Sequence, residues 1–519
     1  MLTKEQLNVP TIFVVFGATG DLMAKKIAPS LFKLYKNKLL PTRFQIIGFS
    51  RRDLTNETFR EHVSKILIEH HIDQKETADF LSLISFNRGQ FNDTGAYQNL
   101  KKHIEEIEKN WRMCGNKLYY LATPPEDMPE IIAGLKKTKL NEPCGGEFGF
   151  ARVVVEKPFG NDEKTANELE KTLSIFKEEQ IYRIDHYFGK EMVEGILNFR
   201  FSNNLFEEKW NNTRVEKIEI KLFEEIGVEK RGAFYDKIGA LRDVGQNHLL
   251  EILSLLTMDG PKNHTAKEIQ EKRVEILKQI ELPEKEEMAT KTFRGQYKGY
   301  SEIVGVAKYS QTETYFKIEL SINNPRWSGV PIIIEGGKRL GKVEKEAIVT
   351  FKKSTPCLAC SADLGDTNKV IFNIAPKESI SISYWSKKPG FKQEIEKRTF
   401  DFLLYEQKEH DQYVEEYAKL ILYAIAGEKT WFISKEEVSA LWKPIDPIIK
   451  AWKENLVPLK IYTPDTDEII KLTQENSRQK TTEKNMAIIG LGKMGAGIAL
   501  QLSEKGWSVS AYNRTASVT

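Results

Sequence analysis

A chain of 519 residues is too long for one ordinary domain, so the sequence predicts at least two. The 77 Lys and Arg nearly balance the 74 Asp and Glu, and a net charge of +3 argues against nucleic acid or an anionic membrane as the main partner. No apolar run reaches the ~20 residues that a membrane-spanning helix needs. Four cysteines are too few for a disulfide framework, so we expect a cytoplasmic protein. Cys357 and Cys360 form a CxxC pair without a second pair for zinc, so we assign no metal ligands.

Strand and helix signals alternate over residues 1–185. Short β-branched and aromatic runs alternate with helix-like stretches such as KKIAPSLFKLYKNK and TANELEKTLSIFKEE; the strand runs are TIFVVFG, FQIIGF, NKLYYLAT and ARVVVEKP. This alternation predicts a parallel, doubly wound α/β domain of the Rossmann type that binds a dinucleotide.

A glycine-containing loop, FGATGDL, follows the first predicted strand directly. Gly17 and Gly20 would let the backbone turn tightly and approach a pyrophosphate at the N-terminus of the next helix. We therefore predict cofactor contacts from Gly17, Gly20, Asp21, Leu22 and, in that helix, Lys26. The spacing is GxxG rather than GxGxxG, so the loop alone is equally compatible with an ordinary turn.

The end of the second predicted strand indicates which dinucleotide binds. A site for NAD usually has an acidic residue there, which accepts hydrogen bonds from the ribose 2′-hydroxyl. This chain has Ser50, Arg51 and Arg52 instead. A hydroxyl and a guanidinium bind a 2′-phosphate that a carboxylate would repel, so we predict NADP, with Ser50 and Arg51 as ligands. The alternative is a solvated basic turn.

Longer strand signals follow from about residue 195, with few long helices between them. They predict one large, mostly antiparallel sheet; the runs are VEKIEIKLFE, SEIVGVAKYS, TYFKIELSI, PIIIEGG, EAIVTFK, KVIFNI and SISISYW. Helical segments near 239–258, 265–280 and 411–426 would cover one face. Residues 186–472 therefore read as an α+β domain for substrate binding and dimerisation, and the polar segment 473–485 as a linker.

Three further segments mix charge with Gly or Pro: EKPFG, RIDHYFGKE and YDKIGALRDVGQNH. Together with GATGDL, and in this order, they resemble the glucose-6-phosphate dehydrogenase family. Further matches lie at residues 326–340 and 417–432, so the resemblance covers roughly residues 8–465. It implies NADP-dependent oxidation of glucose 6-phosphate at C1 to 6-phosphogluconolactone, the first step of the oxidative pentose phosphate pathway. It also implies a homodimer or homotetramer.

The resemblance implies a catalytic pair. His248 matches the family's general base, and a histidine suits that role because its pKa is near neutral. Asp185 matches the carboxylate that orients this histidine and stabilises its charged form. Without the resemblance, His248 would read as a core histidine on an apolar helix.

The resemblance also implies the substrate contacts. A phosphate wants several donors with positive charge, and the matching positions are His186, Tyr187, Lys190 and Tyr417. Lys157 of EKPFG matches a lysine that contacts substrate near the cofactor, and the adjoining Pro158 matches a proline in a cis bond. The sugar contacts are implied for Glu224, Asp243 and Lys338.

Several positions depart from the family pattern. Ala24 stands where a basic residue is usual, Glu335 replaces an arginine, and Ala375 replaces a glutamine. The lysine expected soon after Glu335 is displaced, with Lys342 as the nearest candidate. We expect these changes to weaken substrate or cofactor affinity and to leave the base, its carboxylate and the phosphate donors in place.

The last 34 residues, 486–519, have the pattern of the N-terminal start of another domain. A strand signal runs into GLGKMG, a GxGxxG loop with Gly490, Gly492 and Gly495, and a helix and a second strand follow. This segment resembles the opening of 6-phosphogluconate dehydrogenase or of the related β-hydroxyacid dehydrogenases. We interpret it as a truncated Rossmann β-α-β fragment left by a fusion; the alternative is a degenerate C-terminal extension.

Two other functions stay open from the sequence. The first is an oxidoreductase for an unphosphorylated sugar, which would leave the phosphate donors of RIDHYFGKE idle. The second is a catalytically inactive sensor of sugar phosphate or NADPH, against which the retained His248 and Asp185 argue.

Overall fold

The computed structural model describes residues 8–144, 149–353, 367–392, 394–405, 415–481, 484–490, 492–504 and 507–512. Cys357 and Cys360 lie outside these ranges. Among the described residues, Cys114 and Cys144 form a disulfide. None of the helices in these ranges is both long and apolar enough to cross a membrane.

The N-terminal part is a six-stranded sheet in the order β3-β2-β1-β4-β5-β6, with every pair parallel. Its strands are β1 (Thr11–Phe16), β2 (Phe44–Ser50), β3 (Ile84–Arg88), β4 (Asn116–Leu121), β5 (Ala151–Glu156) and β6 (Ile181–Ile184). Its helices are α1 (Ala28–Lys36), α2 (Asn56–Glu69), α3 (Ala78–Ser82), α4 (Thr94–Trp111), α5 (Met128–Lys137) and α6 (Glu163–Leu173). The order reverses between β1 and β4, which opens a crevice at the carboxyl ends of the strands. The predicted doubly wound domain is confirmed.

The apolar run of β1 explains its central place. All six residues of the strand are buried. A strand in the middle of a parallel sheet is covered on both faces, so it reads as a continuous hydrophobic run rather than as an alternation.

The second part is a ten-stranded sheet in the order β15-β14-β13-β12-β7-β11-β10-β9-β16, with β8 paired to β10. Its strands are β7 (Val215–Phe223), β8 (Ile280–Glu281), β9 (Thr292–Tyr297), β10 (Tyr315–Ile322), β11 (Ile332–Gly337), β12 (Glu344–Phe351), β13 (Lys369–Ala375), β14 (Ser379–Lys387), β15 (Ile395–Leu403) and β16 (Leu459–Tyr462). Only the pairs β7–β11 and β9–β16 are parallel among these described strands. The predicted large, mostly antiparallel sheet is confirmed, although β8, β9, β15 and β16 were not among the predicted runs.

Helices and short turns connect these strands. The helices are α7 (Glu191–Phe201), α8 (Asn204–Glu207), α9 (Gly232–Tyr235), α10 (Leu250–Thr257), α11 (Ala266–Leu277), α12 (Met288–Lys291), α13 (Glu416–Ala426), α14 (Lys435–Trp442), α15 (Asp446–Lys453) and α16 (Glu468–Thr481). Two π-helical segments, Met23–Ile27 and Leu241–Leu249, lead directly into α1 and α10. The three predicted helical segments near 239–258, 265–280 and 411–426 are thus confirmed within the described residues.

One predicted strand is wrong. SEIVGVAKYS, residues 301–310, forms turns instead, beginning with a 3₁₀ turn at Tyr300–Glu302. The carboxylate of Asp236 accepts hydrogen bonds of 3.1 Å from the Tyr300 hydroxyl and the Ala307 N–H, which ties the segment down locally. Val304 is 91% exposed. The apolar residues that suggested a strand therefore have no sheet to enter.

A helix runs through most of the segment predicted as a linker. α16 extends to Thr481, and Ile469, Ile470 and Thr473 in its first part are buried. The chain therefore stays attached to the second sheet as far as Thr473, while the domain boundaries themselves remain predictions.

The C-terminal residues form a separate strand pair. β17 (Lys484–Ile489) and β18 (Trp507–Tyr512) flank α17 (Lys493–Glu504) and pair in parallel. Within the described residues they hydrogen-bond to no other strand.

Candidate active site

The structure brings Asp185 and His248 together. Asp185 follows the last residue of β6, and His248 lies in the π-helical segment that precedes α10. Nδ1 of His248 is 2.6 Å from Oδ1 of Asp185, and the two side chains are only 2% and 1% exposed. π-helical segments within α-helices are rare and often occur at functional sites. The pairing that the sequence could not demonstrate is present.

Burial sets the protonation of this pair. It lowers the pKa of His248 to about 4, and the Lys157 ammonium adds to this, while Asp185 opposes it. Burial alone would raise the pKa of Asp185, but the His248 ring and Lys157 outweigh it and hold that pKa below its usual range. At neutral pH the imidazole is therefore uncharged and able to accept a proton, and Asp185 is ionised.

Lys157 lies on the opposite nitrogen of the His248 ring. Its Nζ is 2.6 Å from Nε2 of His248 and donates to the backbone carbonyl oxygen of Asp243 at 3.2 Å. The Lys157–Pro158 bond is cis, as the family pattern implied. The nitrogen that would accept a substrate proton thus faces the residue that follows β5.

Two rings from the 3₁₀ turn His186–Gly189 surround His248. The Tyr187 ring stacks on it with centroids 4.0 Å apart, and the His186 ring stands nearly perpendicular at 4.7 Å. The turn is tightened because Oδ1 of Asp185 accepts a hydrogen bond of 2.8 Å from the Tyr187 N–H. Burial lowers the pKa of His186 well below its usual range, and His248 and Lys157 act in the same direction. The His186 ring is therefore a neutral donor.

Two lysines lie near Tyr417 and are paired with glutamates. Lys190, at the start of α7, forms a short ion pair with Glu416. Lys26 forms one of 2.7 Å with Glu415, and its Nζ is 5.6 Å from the centre of the Tyr417 ring. Lys26, which the sequence assigned to the cofactor, thus lies beside a residue assigned to the substrate. Two cations and a phenol are thereby gathered on one side of the dyad.

A second charged cluster lies on the large sheet. Lys338 is 2.7 Å from Glu224 and 3.4 Å from Asp243, as the three predicted sugar contacts would require. Burial would lower the pKa of Lys338, but the two carboxylates raise it above its usual value. Lys345 also pairs with Glu224 at 3.2 Å. Sequence reasoning missed Lys345, whose only signal was its place in the strand that follows Lys338.

The glycine loop has the form of a nucleotide cradle. Gly17 has φ = +81°, and a Cβ there would lie 2.5 Å from the carbonyl oxygen of Ala122, at the end of β4. The Gly20 N–H donates to the Gly17 carbonyl oxygen at 2.9 Å, which closes the turn. Asp21 is exposed and pairs with the next helical turn, and Leu22 packs against the core. The tight approach of the backbone to β4 is what a pyrophosphate-binding loop needs.

The end of β2 lies beside this loop. The hydroxyl of Thr19 donates to Oγ of Ser50 at 3.3 Å, and the Arg52 N–H donates to the same oxygen at 3.3 Å. Ser50 is buried, whereas Arg51 and Arg52 are exposed. The donor set therefore contains exposed guanidinium groups beside the loop, which suits a 2′-phosphate.

The residues that depart from the family pattern have local partners. Glu335 is buried in β11 and accepts a short hydrogen bond from the Tyr315 hydroxyl. Burial raises its pKa, so this carboxyl is satisfied inside the sheet rather than offered to a ligand. Lys342 forms a short ion pair with Glu344, and Ala375 precedes a second cis proline bond.

Two carboxyl groups next to the site, the half-buried Glu156 and the buried Glu251, were also missed by the sequence analysis. Glu156, the last residue of β5, accepts a short hydrogen bond from the Tyr120 hydroxyl, and burial raises its pKa to about 7. Glu251 lies one helical turn after His248. Their signals, a carboxylate beside Lys157 and one at i+3 from His248, were present but not specific.

Comparison with known families covers almost the whole chain. Residues 14–195 match the family model of the glucose-6-phosphate dehydrogenase NAD binding domain, and residues 197–481 match that of the C-terminal domain. Residues 485–519 match the NAD binding domain of 6-phosphogluconate dehydrogenase. The earlier resemblances at both ends of the chain are confirmed.

Individual relatives agree. The glucose-6-phosphate 1-dehydrogenase of Chlamydia pneumoniae is 37% identical over 470 residues, which is 86% of this chain and 91% of that protein. The enzyme of Borreliella burgdorferi is 36% identical over 452 residues, with 85% and 92% covered. A solved glucose-6-phosphate dehydrogenase in complex with its substrate glucose 6-phosphate is 32% identical, with a TM-score of 0.83 over 92% of this chain and 99% of that one. The chain therefore belongs to the glucose-6-phosphate dehydrogenase family.

Proposed function

We propose that this chain oxidises glucose 6-phosphate at C1 to 6-phosphogluconolactone with NADP⁺, the first step of the oxidative pentose phosphate pathway. The observation that carries the proposal is the buried dyad, with Asp185 on Nδ1 of His248 and Lys157 on Nε2. The arrangement provides an uncharged base in a site from which water is largely excluded.

In this proposal Nε2 of His248, the nitrogen that Lys157 contacts, accepts the proton of the C1 hydroxyl. Asp185 stabilises the imidazolium that results and keeps the ring in the tautomer with a proton on Nδ1. NADP⁺, when bound, supplies the nicotinamide that accepts the hydride from C1. Lys157, displaced from Nε2 by the substrate hydroxyl, remains close enough to donate to that oxygen.

The phosphate of the substrate would be bound by His186, Tyr187, Lys190 and Tyr417. The ion pair of Lys190 with Glu416 holds the ammonium in place, and a phosphate oxygen offers it a stronger charge-assisted bond. The sugar hydroxyls would be bound by Glu224, Asp243 and Lys338, which already form one connected cluster.

NADP would be held by the loop of Gly17, Gly20, Asp21 and Leu22, with Ser50 and Arg51 on the 2′-phosphate and Lys26 and Lys157 nearby. The support is the close approach of Gly17 to the Ala122 backbone, which leaves no room for a side chain, and the exposed guanidinium of Arg51 beside the buried Ser50.

The test is a matched set of assays that follow the absorbance of the reduced nicotinamide. Purified protein is mixed with glucose 6-phosphate or glucose, and with NADP⁺ or NAD⁺. We expect turnover with glucose 6-phosphate and NADP⁺ to exceed that with free glucose. Equal turnover of both sugars would favour an oxidoreductase for unphosphorylated sugars, and binding without turnover would favour a sensor.

Lys190→Ala sharpens the assignment of the phosphate. Loss of its charge should raise KM for glucose 6-phosphate by about tenfold or more, while turnover of free glucose is unchanged. Lys36→Ala removes a surface lysine that is also paired with a glutamate, at 2.8 Å, and serves as the matched control. An equal effect of Lys190→Ala on both sugars would show that Lys190 does not bind the phosphate.

We further propose a homodimer or homotetramer in the cytoplasm. β15 is an edge strand of the large sheet, and its Phe400 and Phe402 are 64% and 62% exposed, which favours cover by another subunit. The location rests on the low cysteine content, since one described disulfide is not a framework.

A further inference from the structure

Glu251 is a buried carboxyl group that the proposed mechanism does not use. It is 2% exposed and lies in α10, three residues after His248. Within the described part of the chain, neither of its carboxyl oxygens receives a hydrogen bond. An ionised carboxylate in this position would have neither solvent nor a hydrogen-bond donor around it, and burying such a charge strongly destabilises the folded protein. The group is therefore stable here only when it holds a proton and donates it.

The acceptor in reach is Asp185. Asp185 pairs with His248, which lies one helical turn before Glu251, and its carboxyl group raises the pKa of Glu251 both by its charge and as a hydrogen-bond partner. Oδ1 of Asp185 is occupied by His248 and the Tyr187 N–H, whereas Oδ2 is buried and receives no hydrogen bond from the other described residues. Two carboxyl groups in contact cannot both be ionised, so they share one proton.

The surrounding charges decide which carboxyl group keeps that proton. Asp185 directly faces the His248 ring, and the charge of Lys157 further stabilises it as an anion. Around Glu251, burial raises the pKa most, Asp185 and Glu437 raise it further, and Lys157 opposes them. The proton therefore belongs to Glu251.

We propose that Glu251 is a positioning residue that stays protonated at neutral pH and donates its O–H to Oδ2 of Asp185, which holds Oδ1 on the base His248. The proposal rests on the dehydrogenase function proposed above. With one oxygen fixed by Glu251 and the other by His248, the Asp185 carboxylate cannot rotate away as the imidazole becomes charged. Glu251 in α10, Asp185 after β6 and His248 then form a chain of three residues that ends at the substrate.

The test compares Glu251→Gln, Glu251→Leu and Glu335→Gln. Glutamine has an amide N–H that donates to Oδ2 at any pH, so we expect Glu251→Gln to keep kcat within about threefold of wild type. Leucine fills the space without a donor, and loss of a bond to a charged group should lower kcat by about ten- to a hundredfold. Glu335→Gln changes another buried carboxyl group, the one that accepts from Tyr315, and should leave kcat unchanged.

Infrared spectroscopy gives a readout that does not depend on activity. The difference between wild type and Glu251→Gln at pH 7 should contain the carbonyl band of a protonated carboxylic acid. A pair of carboxylate bands instead would overturn the proposal, and so would a Glu251→Gln enzyme as slow as the leucine variant. If the leucine variant fails to fold, the glutamine variant and its spectrum still decide. Inactivity of wild type on glucose 6-phosphate would refute the proposed function. The infrared spectrum would then still show whether Glu251 is protonated.

Discussion

The chain contains two glycine loops that follow a strand and begin a helix, and they have very different surroundings. The loop at Gly17 follows β1, whose six residues are all buried in the middle of a six-stranded sheet. The loop at Gly490 follows β17, which pairs only with β18 among the described strands. By its GxGxxG spacing, the second loop matches the nucleotide-binding pattern better than the first.

The space around each glycine shows the difference most directly. A Cβ on Gly17 would lie 2.5 Å from the carbonyl oxygen of Ala122, which follows β4, whereas a Cβ on Gly490 would have nothing within 4 Å. Near Gly490, Ile489 is 85% exposed. A glycine motif thus becomes a site only when the neighbouring strands and catalytic residues are present around it.

The largest expected effect is on catalysis at the N-terminal sheet. His248→Asn removes the proposed base and should lower kcat by at least ~10²-fold, with substrate binding largely kept. His103→Asn, which changes a partly buried histidine in α4, is the control and should have no effect on kcat. Initial rates with glucose 6-phosphate and NADP⁺ measure both. Near-normal turnover of His248→Asn would remove His248 from the mechanism and break the contrast between the two loops.

The next prediction makes the same substitution, glycine to alanine, in both loops. Gly17→Ala forces a methyl group into the Ala122 carbonyl, and overpacking of this kind costs about 1–3 kcal/mol, or roughly ten- to a hundredfold in NADP⁺ affinity if the loop moves. Gly490→Ala also has a positive φ but meets no neighbour, so NADP⁺ affinity of the whole protein should not change. Titration calorimetry with NADP⁺ measures both variants. A weaker Gly490→Ala protein would mean that the second loop binds the cofactor.

A smaller effect is expected from the basic residues after each second strand. Arg51→Ala should weaken NADP⁺ by about tenfold and leave NAD⁺ nearly unchanged, because only NADP⁺ has a 2′-phosphate. Arg514→Ala, at the corresponding place of the C-terminal unit and outside the described residues, should alter neither. KM values for the two cofactors measure this. If Arg51→Ala weakens both equally, Arg51 has a structural role and Ser50 or Arg52 becomes the candidate for the phosphate.

The contrast also shows what the sequence could predict. Apolar runs predicted β1, β2, β4 and β5 of the first sheet but not β3 and β6, and the family motifs identified Asp185 and His248. The motifs could not show that Lys157 contacts the free nitrogen of His248, or that Lys26 lies beside a substrate residue, because these contacts join segments far apart in the chain. Glu251 was missed for the same reason: its role depends on the carboxyl group that tertiary packing places beside it. Local charge and periodicity carry no information on such neighbours.

The smallest effect is expected from removing the C-terminal unit. Apolar side chains of this unit, Ile489, Met494, Leu500 and Tyr512, are 65–85% exposed, so they contribute little burial to the rest of the protein. A single β-α-β unit of about 34 residues buries too little apolar surface to offset its own ordering entropy. A chain that ends after Lys484 keeps α16, whose buried Thr473 packs on the second sheet. Deletion should therefore leave kcat and KM unchanged and shift Tm by no more than about 1 °C, as measured by initial rates and calorimetric melting.

As a control, a chain that ends before α16 should melt at a lower temperature, because Ile469 and Ile470 leave the core. Loss of activity on removal of residues 485–519 alone, or tight NADP⁺ binding by that isolated segment, would show that the second glycine loop is a working part of the protein.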